Sequence, residues 1–491
     1  MRADRRPAAV LVALSVVLAT MLTMQHGNAA TADVALVRIQ NEAALGDLCS
    51  APHDEFEAQV AVDPTQPDIV LAAWVQDSNT AVVVARSTDG GASWSTVNID
   101  GIDTCHIEVD VPSVGFVDPS LAYGLADDGG SIAYLALHYA DASLDQDVLV
   151  LTSRDDGQTW SEPRVVSDQV KLEFPDLADV TPHPTVPCRA HLVWRAPTWV
   201  QEAVRFAETR DCGDSWSGPR TVLPAVIGRS PLRSRILAPP GGDLLHVFTA
   251  SERAAYLSEY YGVAQDARPA SIMVQRSKDG GLSWSDPVEI GRAARTVLLD
   301  PDGRTVTGAT TFHSSVVLPD GTVYVVWPDM DGRLLISQSG DTGETWTTPT
   351  TAVHQPNGVF FPTLAAAPDG TLGIVFYDFR NDEANVDGDA SDEPLTTDVW
   401  FASLAPGSDT WEESHVAGPF DARSAGFLGD YQGITAVHDG FAAAFVMSQP
   451  LAEDGETDAF FARIRLTARS SATARGTQAS EGRAVWSDRW R

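Results

Sequence analysis

Short apolar segments of strand length alternate with turn-forming residues along most of the chain. Residues 313–346 show the arrangement, because the segments HSSVVL, TVYVVW and GRLLIS are separated by turns and followed by GDTGETW. β-Branched and aromatic residues dominate these segments, and Gly, Pro, Asn and Asp bound them, which is typical of strands joined by tight turns. The pattern therefore predicts an all-β fold.

Units of this kind repeat along the chain, each about 55 to 65 residues long with three or four predicted strands. We count seven units, which open near Gln59, Asp118, Phe174, Arg233, His313, Phe361 and Asp430. Seven such units predict a β-propeller with seven blades, and six blades is the alternative count. An open ring would leave an exposed sheet edge, so a propeller must close. The last unit lacks a fourth strand, and we expect the otherwise unassigned strand at residues 34–39 to complete it.

One turn recurs in almost the same form, with the pattern Ser/Thr-x-Asp-x-Gly-x-Ser/Thr-Trp. Its copies are STDGGASW, SRDDGQTW, TRDCGDSW, SKDGGLSW and SGDTGETW, which end at Trp94, Trp160, Trp216, Trp284 and Trp346. In such a turn the Asp accepts bonds from backbone N–H groups, and the Gly adopts a positive φ. The Trp can bury a large apolar area between blades. The repeated turn is therefore expected to hold the fold rather than to carry chemistry.

These five turns resemble the Asp-box, or bacterial-neuraminidase-repeat, proteins, and the resemblance extends over about residues 55–465. In that family the boxes lie on the face of the propeller away from the substrate site. The best-known members are sialidases. The resemblance therefore implies a site at the opposite mouth of the central channel, where propellers commonly bind ligands.

The two ends of the chain differ in composition from the repeats. Arg2, Arg5 and Arg6 precede an apolar run and the small residues 27–30, which is the pattern of a secretory signal peptide. The run is short for a bilayer span, so we expect residues 1–30 to be removed and the mature chain to carry no membrane span. Residues 31–466 form the predicted propeller, and the polar segment 467–491 is expected to be disordered. A secreted, extracellular protein follows from these features.

The charge and the cysteines fit an extracellular protein. The formal net charge of −34 argues against nucleic acid as a partner, and a glycan or glycoconjugate bound by a monomer is the expected arrangement. Four cysteines without CxxC spacing predict two disulfides. Their positions in the units favour the pairs Cys49–Cys105 and Cys188–Cys212.

A long acidic segment, residues 381–398, lies in the sixth unit. Asp387, Asp389 and Asp392 alternate there with small residues, a pattern that suits oxygen ligation of Ca²⁺. An acidic loop without a metal is the alternative interpretation. No organic cofactor is expected.

Aligning the units on their Pro-Asp-Gly turns predicts two columns of residues at the mouth of the channel. The first column is Glu57, Asp118, Phe174, Leu232, Phe312, Phe361 and Tyr431. The second column is Gln59, Ser120, Asp176, Ser234, Ser314, Thr363 and Gly433. Acids gather on the early blades and aromatics on the later ones, with arginines beside them. Such a mixture suits a sugar that carries an acidic group.

The resemblance to sialidases implies roles for particular residues. Sialidases use three arginines on the substrate carboxylate, a tyrosine nucleophile assisted by a glutamate, and an aspartate as acid/base. The matching positions are Arg195, Arg235 and Arg380 for the arginines, Tyr431 with Glu57, and Asp118 as acid/base. Asp176, His313 and Tyr377 are further predicted substrate contacts.

This chain also departs from the sialidase pattern. It lacks the N-terminal Phe-Arg-Ile-Pro signature, of which Val37–Gln40 is a partial echo, and it has seven predicted blades instead of six. No glutamate stands beside an arginine at the mid-chain position that the sialidase pattern expects. We therefore expect a sialidase-like exo-glycosidase, with a non-catalytic propeller that binds a glycan or a protein as the alternative.

Overall fold

The computed structural model shows an all-β fold of seven four-stranded antiparallel sheets arranged as a seven-bladed β-propeller. The structure describes residues 30–39, 54–76, 79–103, 115–140, 146–167, 173–198, 201–226, 228–252, 269–293, 300–302, 304, 306, 312–382, 394–448, 450–452 and 456–468. The predicted seven-bladed propeller is confirmed, and the six-bladed count is wrong. The described part of the chain has no helix with the length and hydrophobicity that a bilayer crossing needs.

Each blade consists of four strands, which run from the inner strand at the channel to the outer strand. Blade one contains β2 (Glu55–Val62), β3 (Val70–Gln76), β4 (Ala81–Ser87) and β5 (Ser95–Val97); blade two contains β6 (Gly115–Leu125), β7 (Ser131–Ala140), β8 (Gln146–Ser153) and β9 (Arg164–Val165). Blade three contains β10 (Asp176–Pro182), β11 (Ala190–Pro197), β12 (Glu202–Thr209) and β13 (Arg220–Leu223); blade four contains β14 (Arg229–Leu237), β15 (Leu244–Glu252), β16 (Ser271–Ser277) and β17 (Val288–Arg292).

The later blades follow the same order. Blade five contains β18 (Ser314–Val317), β19 (Val323–Pro328), β20 (Arg333–Ser339) and β21 (Thr350–His354); blade six contains β22 (Val359–Ala366), β23 (Leu372–Asp378), β24 (Thr396–Leu404) and β25 (Glu412–Asp421). Blade seven contains β26 (Gly433–Val437), β27 (Gly440–Ser448) and β28 (Thr457–Ala468), and its fourth strand is β1 (Ala30–Arg38).

The core lies between neighbouring blades. Every residue of β3, β23 and β27 is buried, so these second strands are continuous apolar runs instead of alternating patterns. Each face of such a strand packs on the adjacent sheet, and burial on both faces accounts for the runs. Leu71 of blade one and Leu135 of blade two, for example, share one apolar cluster. A blade therefore depends on both of its neighbours for stability.

The N-terminal strand closes the ring. β1 pairs antiparallel with β28, with Val34 opposite Ile464, and Arg38 donates to Asp458 over 3.0 Å. This confirms that the strand predicted at residues 34–39 completes blade seven. β28 itself extends to Ala468, two residues into the segment predicted to be a disordered tail.

The repeated turns have the structural role that their sequence predicts. In the fourth blade, Asp279 accepts hydrogen bonds from Ser277 Oγ (2.8 Å), from the Ser283 backbone N–H (2.8 Å) and from Ser283 Oγ (2.5 Å). Gly281, with φ +83°, lies where a side chain would meet the Phe206 ring of blade three. The Trp284 ring packs edge-on against the same Phe206, at a centroid distance of 6.3 Å. The box thus ties one blade to its predecessor.

One predicted disulfide, Cys188–Cys212, is present in blade three and is confirmed. Cys49 and Cys105 lie outside the described residues. The same applies to the predicted signal peptide up to residue 29, to residues 469–491, and to Asp387, Asp389 and Asp392 of the predicted calcium site.

Replacing Asp279 by Asn should reduce the acid sensitivity of the fold. Hydrogen bonds from Ser283 and Ser277 lower the pKa of Asp279 to about 2, below the value of about 3.9 expected in the unfolded chain. The resulting stability is present above about pH 4 and is lost as the pH falls towards 2. Urea unfolding at about pH 5 and about pH 2.5 measures it, and the drop should be smaller in Asp279→Asn than in the wild type. Asp286→Asn, just outside the box, is the control, and an equal effect of the two variants would contradict the prediction.

Candidate functional site

Seven residues, one from the start of each inner strand or the turn before it, lie at the same level of the channel. This inner ring consists of Glu57, Asp118, Leu177, Leu232, Phe312, Phe361 and Tyr431. In five blades the pairing of the first strand with the second is interrupted at this level by a register shift. It resumes two residues later, where Gln59 lies opposite Ala73 and Ser120 lies opposite Ala136. Glu57 and Asp118 have φ values of 60° and 55° there. Such bulges with left-handed residues re-aim side chains, here into the channel.

The alignment of blade three from the sequence was wrong by three residues. Phe174 and Asp176 were predicted for the first and second columns of residues at the channel mouth. In the structure, Leu177 and Asp179 occupy these positions, with Asp179 opposite Val193. The reason is that the first turn of unit three lacks the Asp-Gly pair that marks the corresponding turn of units two, five, six and seven. Its first turn contains Cys188 instead, so the length of the inner strand could not be read from that marker.

The inner ring brings together the three predicted catalytic residues. The Tyr431 hydroxyl donates to Glu57 Oε2 over 3.4 Å and to the Pro119 carbonyl over 3.3 Å. The backbone N–H of Asp118 donates to the same Glu57 oxygen over 3.2 Å. All three side chains are buried, with Tyr431 the most exposed at 7%.

Burial gives the two carboxyl groups different protonation behaviour. Burial and the charges of Asp118 and Asp430 raise the pKa of Glu57 well above its usual range. Burial also opposes ionisation of Asp118, but His138, whose Nδ1 lies 2.8 Å from Asp118 Oδ2, lowers the pKa of that carboxyl below its ordinary value. Glu57 is therefore the proton-carrying acid of the pair, and Asp118 is the ionised one.

His138 carries the positive charge that balances Asp118. Burial alone would lower the pKa of His138, but the Asp118 carboxylate outweighs it and raises the pKa above its ordinary value, with a further contribution from Asp176. Burial raises the pKa of Tyr431 far above that of a free phenol, and Glu57 adds to this effect. The resting site thus holds a neutral phenol, a neutral glutamic acid and an Asp118–His138 ion pair.

The charged network continues away from the channel in blade three. Arg195 donates to Asp176 Oδ2 over 2.6 Å and to Glu202 Oε2 over 3.0 Å, and Glu202 accepts from Ser230 Oγ over 2.8 Å. Arg195 and Asp176 were predicted to contact substrate. In the structure they neutralise each other beside Asp118.

Two groups of described residues have metal-ligand spacing. Asp118, His138 and Asp176 each offer a ligand atom, and these atoms lie within 4.8 Å of one another. The imidazolium of His138 and the guanidinium of Arg195 already supply positive charge there. Asp127 is grouped with Cys188 and Cys212, whose sulfurs are joined in the disulfide and so are not thiolates.

A chamber of about 130 Å³ adjoins the inner ring. Its lining comes from the inner ring, from the residues two positions further along the inner strands, and from residues adjacent to these in the chain. Among them are Tyr431, Phe312, Phe361, Arg233, Arg235, His313, Asp179, Asp430 and Gln432. The Arg233 guanidinium lies over the Tyr431 ring, 4.4 Å from its centroid. Arg235 and His313, both predicted site residues, therefore meet Tyr431 at one cavity.

A larger cavity of about 870 Å³ lies beyond this chamber, towards the turns between first and second strands. The two cavities share Val60, Leu121, Ala122, Arg235 and Ile434. The Asp-boxes join third and fourth strands and so lie at the same end of each blade. The loops of the opposite mouth, where the site was predicted to open, include segments outside the described residues, and that location stays a prediction.

Arg380 and Tyr377 do not reach the chamber. The Arg380 guanidinium stacks 3.6 Å from the centre of the Trp400 ring and pairs with Asp378 (2.7 Å) and Glu413 (2.6 Å) of its own blade. The Tyr377 hydroxyl is buried between blades six and seven, where it donates to the Val446 carbonyl over 2.8 Å. Position along the second strand does not show whether a side chain faces the channel or the neighbouring sheet.

The comparisons with known proteins agree with the propeller class. A family model described as a BNR repeat-like domain matches residues 140–376. The chain is 24% identical to a sialidase of Micromonospora viridifaciens over 60% of its own length, and the match spans 44% of that protein. The resemblance to the Asp-box, sialidase-like propellers is therefore confirmed.

Solved structures are also similar to this chain at low sequence identity. One is a protein of unknown function from Dyadobacter fermentans, with 14% identity, 88% of this chain and 99% of that chain covered, and a TM-score of 0.45. Another is the Trypanosoma rangeli sialidase, with 10% identity, 89% and 59% covered, and a TM-score of 0.46.

The ionised state of His138 should depend on Asp118. Because the folded-state pKa is raised, the stability of this ion pair is present below about pH 6.5 and is lost as the pH rises through the folded-state pKa. An NMR titration of the His138 ring should therefore give a pKa above the ordinary value in the wild type and a lower one in Asp118→Asn. Asp286→Asn should leave it unchanged. An Asp118→Asn variant with an unaltered His138 titration would contradict the assignment.

Proposed function

We propose that this protein is a secreted, sialidase-like exo-glycosidase whose reaction centre is Glu57, Asp118 and Tyr431. The observation that carries the proposal is the contact of the Tyr431 hydroxyl with Glu57 directly beside Asp118, on the inner ring of the channel. Two carboxyl groups whose pKa values are driven apart are the usual acid and base of a glycosidase.

The relationship to known enzymes supports a function on glycans. The Micromonospora protein is a sialidase, and it is 24% identical to this chain over 60% of the chain's length. The signal-peptide pattern at residues 1–30 and the strong negative charge support an extracellular location.

The resting protonation states assign the steps of hydrolysis. Glu57, the neutral acid, gives its proton to the glycosidic oxygen as the bond from that oxygen to the anomeric carbon breaks. Asp118, the ionised group, takes a proton from the water that bonds to the anomeric carbon. The proton then returns from Asp118 to Glu57 through solvent, and a free sugar and an alcohol are released.

This assignment exchanges the roles that the resemblance to sialidases implies for Glu57 and Asp118. It also gives Tyr431 a positioning role, because its hydroxyl holds the Glu57 carboxyl group by donating to Oε2. A nucleophilic Tyr431 would need an ionised Glu57 to accept its proton, which the raised pKa of Glu57 disfavours.

Hydrolysis should require both carboxyl groups. We expect Glu57→Gln and Asp118→Asn each to lower kcat by about a hundredfold or more on the best substrate of a panel of fluorogenic exo-glycosides. Circular dichroism would verify folding, and Asp286→Asn should retain full activity. Full activity in either carboxyl variant would refute the proposed centre.

The pH profile tests the assigned roles. Activity should fall at high pH as Glu57 loses its proton and at low pH as Asp118 gains one, which gives a bell-shaped profile. Tyr431→Phe removes a donor to Glu57, so the alkaline limb should move to higher pH while about a tenth of the activity remains. Complete loss of activity in a folded Tyr431→Phe protein would instead favour the nucleophilic role.

A non-catalytic glycan-binding propeller is the second candidate. It is favoured by the pairing of Arg195 and Arg380 with acids of their own blades and by the burial of Tyr431. A folded protein that binds sugars but hydrolyses none of the panel would support this function.

A further inference from the structure

The chamber beside Tyr431 contains buried polar atoms that the described protein does not satisfy. Arg235 Nε, His313 Nε2 and Gln432 Oε1 have no hydrogen-bond partner among the described residues. His313 and Gln432 are almost fully buried, with exposed fractions of 4% and 3%. Buried polar groups are nearly always paired, so three of them around one cavity indicate a polar occupant.

The unpaired atoms include both a donor and an acceptor. The Arg235 Nε–H can only donate, whereas the Gln432 amide oxygen can only accept. The Gln432 NH₂ group donates to the Phe361 carbonyl over 2.7 Å, which distinguishes the two ends of the amide. His313 is neutral, because burial lowers its pKa to about 3, with Arg233 and Arg235 contributing. A hydroxyl group donates and accepts at once and so matches this mixture better than an oxyanion, which can only accept.

The positive and negative side chains that border the chamber are equal in number, with two arginines and two aspartates. Arg233 and Arg235 lie 3.5 Å and 3.8 Å from the two oxygens of Asp179, and Asp430 is a second acid on the chamber wall. The other predicted carboxylate-binding arginines are held by acids elsewhere, as described above for Arg195 and Arg380. The described residues therefore offer no arginine trio for a substrate carboxylate.

The size and the walls of the chamber fit one sugar ring. Its 130 Å³ is many times the roughly 10–15 Å³ that a single water needs, and it is of the order of one sugar ring. Phe312, Phe361 and Tyr431 supply aromatic surface beside the polar atoms. Sialic acid, with its carboxylate, acetamido group and glycerol side chain, is much larger.

We propose that the chamber binds a single uncharged sugar residue, held by Arg235, His313 and Gln432 against the aromatic side chains of the inner ring. This inference rests on the proposed function in so far as it names the sugar that is released. As a binding site it stands without that function. The substrate class is then a glycan with a neutral terminal sugar instead of a sialylated one.

Calorimetric titration of the full chain with free sugars tests the binding directly. The probes are D-galactose, L-arabinose, L-fucose and D-glucose, and N-acetylneuraminic acid is titrated separately as the charged comparison. We expect at least one neutral sugar to bind more tightly than N-acetylneuraminic acid, and Arg235→Ala to weaken that binding about tenfold. Arg292→Ala, an arginine on the outer strand of blade four, is the matched control and should bind as the wild type does.

Two outcomes would overturn the proposal. One is preferential binding of N-acetylneuraminic acid, and the other is no sugar binding by the folded protein, which would mean that ordered water fills the chamber. Hydrolysis measured in parallel separates this proposal from the proposed function. Neutral-sugar binding without turnover of any glycoside would remove the hydrolase but keep the site. Turnover of an α-sialoside alone would keep the hydrolase and remove the neutral-sugar site.

Discussion

The closure of the ring by one antiparallel strand pair, β1 with β28, is the constraint on which the rest of the structure depends. A second strand such as β3 or β27 is buried on both faces, so no blade has a complete core without its neighbours. An unclosed seventh blade would leave both an unpaired edge and an exposed apolar face. The register of Val34 opposite Ile464 joins the two ends of the chain and makes the seven sheets one cooperative unit.

Closure also explains why charged groups accumulate in the channel. Seven inner strands meet at one axis, and the bulges at the inner ring point their side chains into a narrow space. A carboxyl group in such a space must be protonated, paired or both. Glu57 is protonated, and Asp118 is paired with His138. The ion pairs of Arg195 continue this pairing away from the channel. The same burial that restricts access to the site sets the acid and base apart.

The repeated boxes and the site illustrate opposite uses of repetition. In the boxes, the same Asp, Gly and Trp pattern makes the same bonds in blade after blade, because each copy meets an equivalent neighbour. On the inner ring, the seven equivalent positions hold different residues, and their function arises from the combination. Glu57, Asp118 and Tyr431 come from blades one, two and seven, and blade seven adjoins blade one only because the ring closes.

The sequence alone determined the strands, the blade count, the closing strand, the Cys188–Cys212 disulfide and the meeting of Tyr431, Glu57 and Asp118. Local patterns of turns and apolar runs specify these features, and the repeat aligns equivalent positions. Only the tertiary structure decided that Leu177 and Asp179 replace Phe174 and Asp176, since the first turn of unit three lacks the Asp-Gly pair that would have fixed its alignment. It also turned Arg380 and Tyr377 away from the channel and paired His138 with Asp118, because side-chain direction and pairing depend on the neighbouring blade.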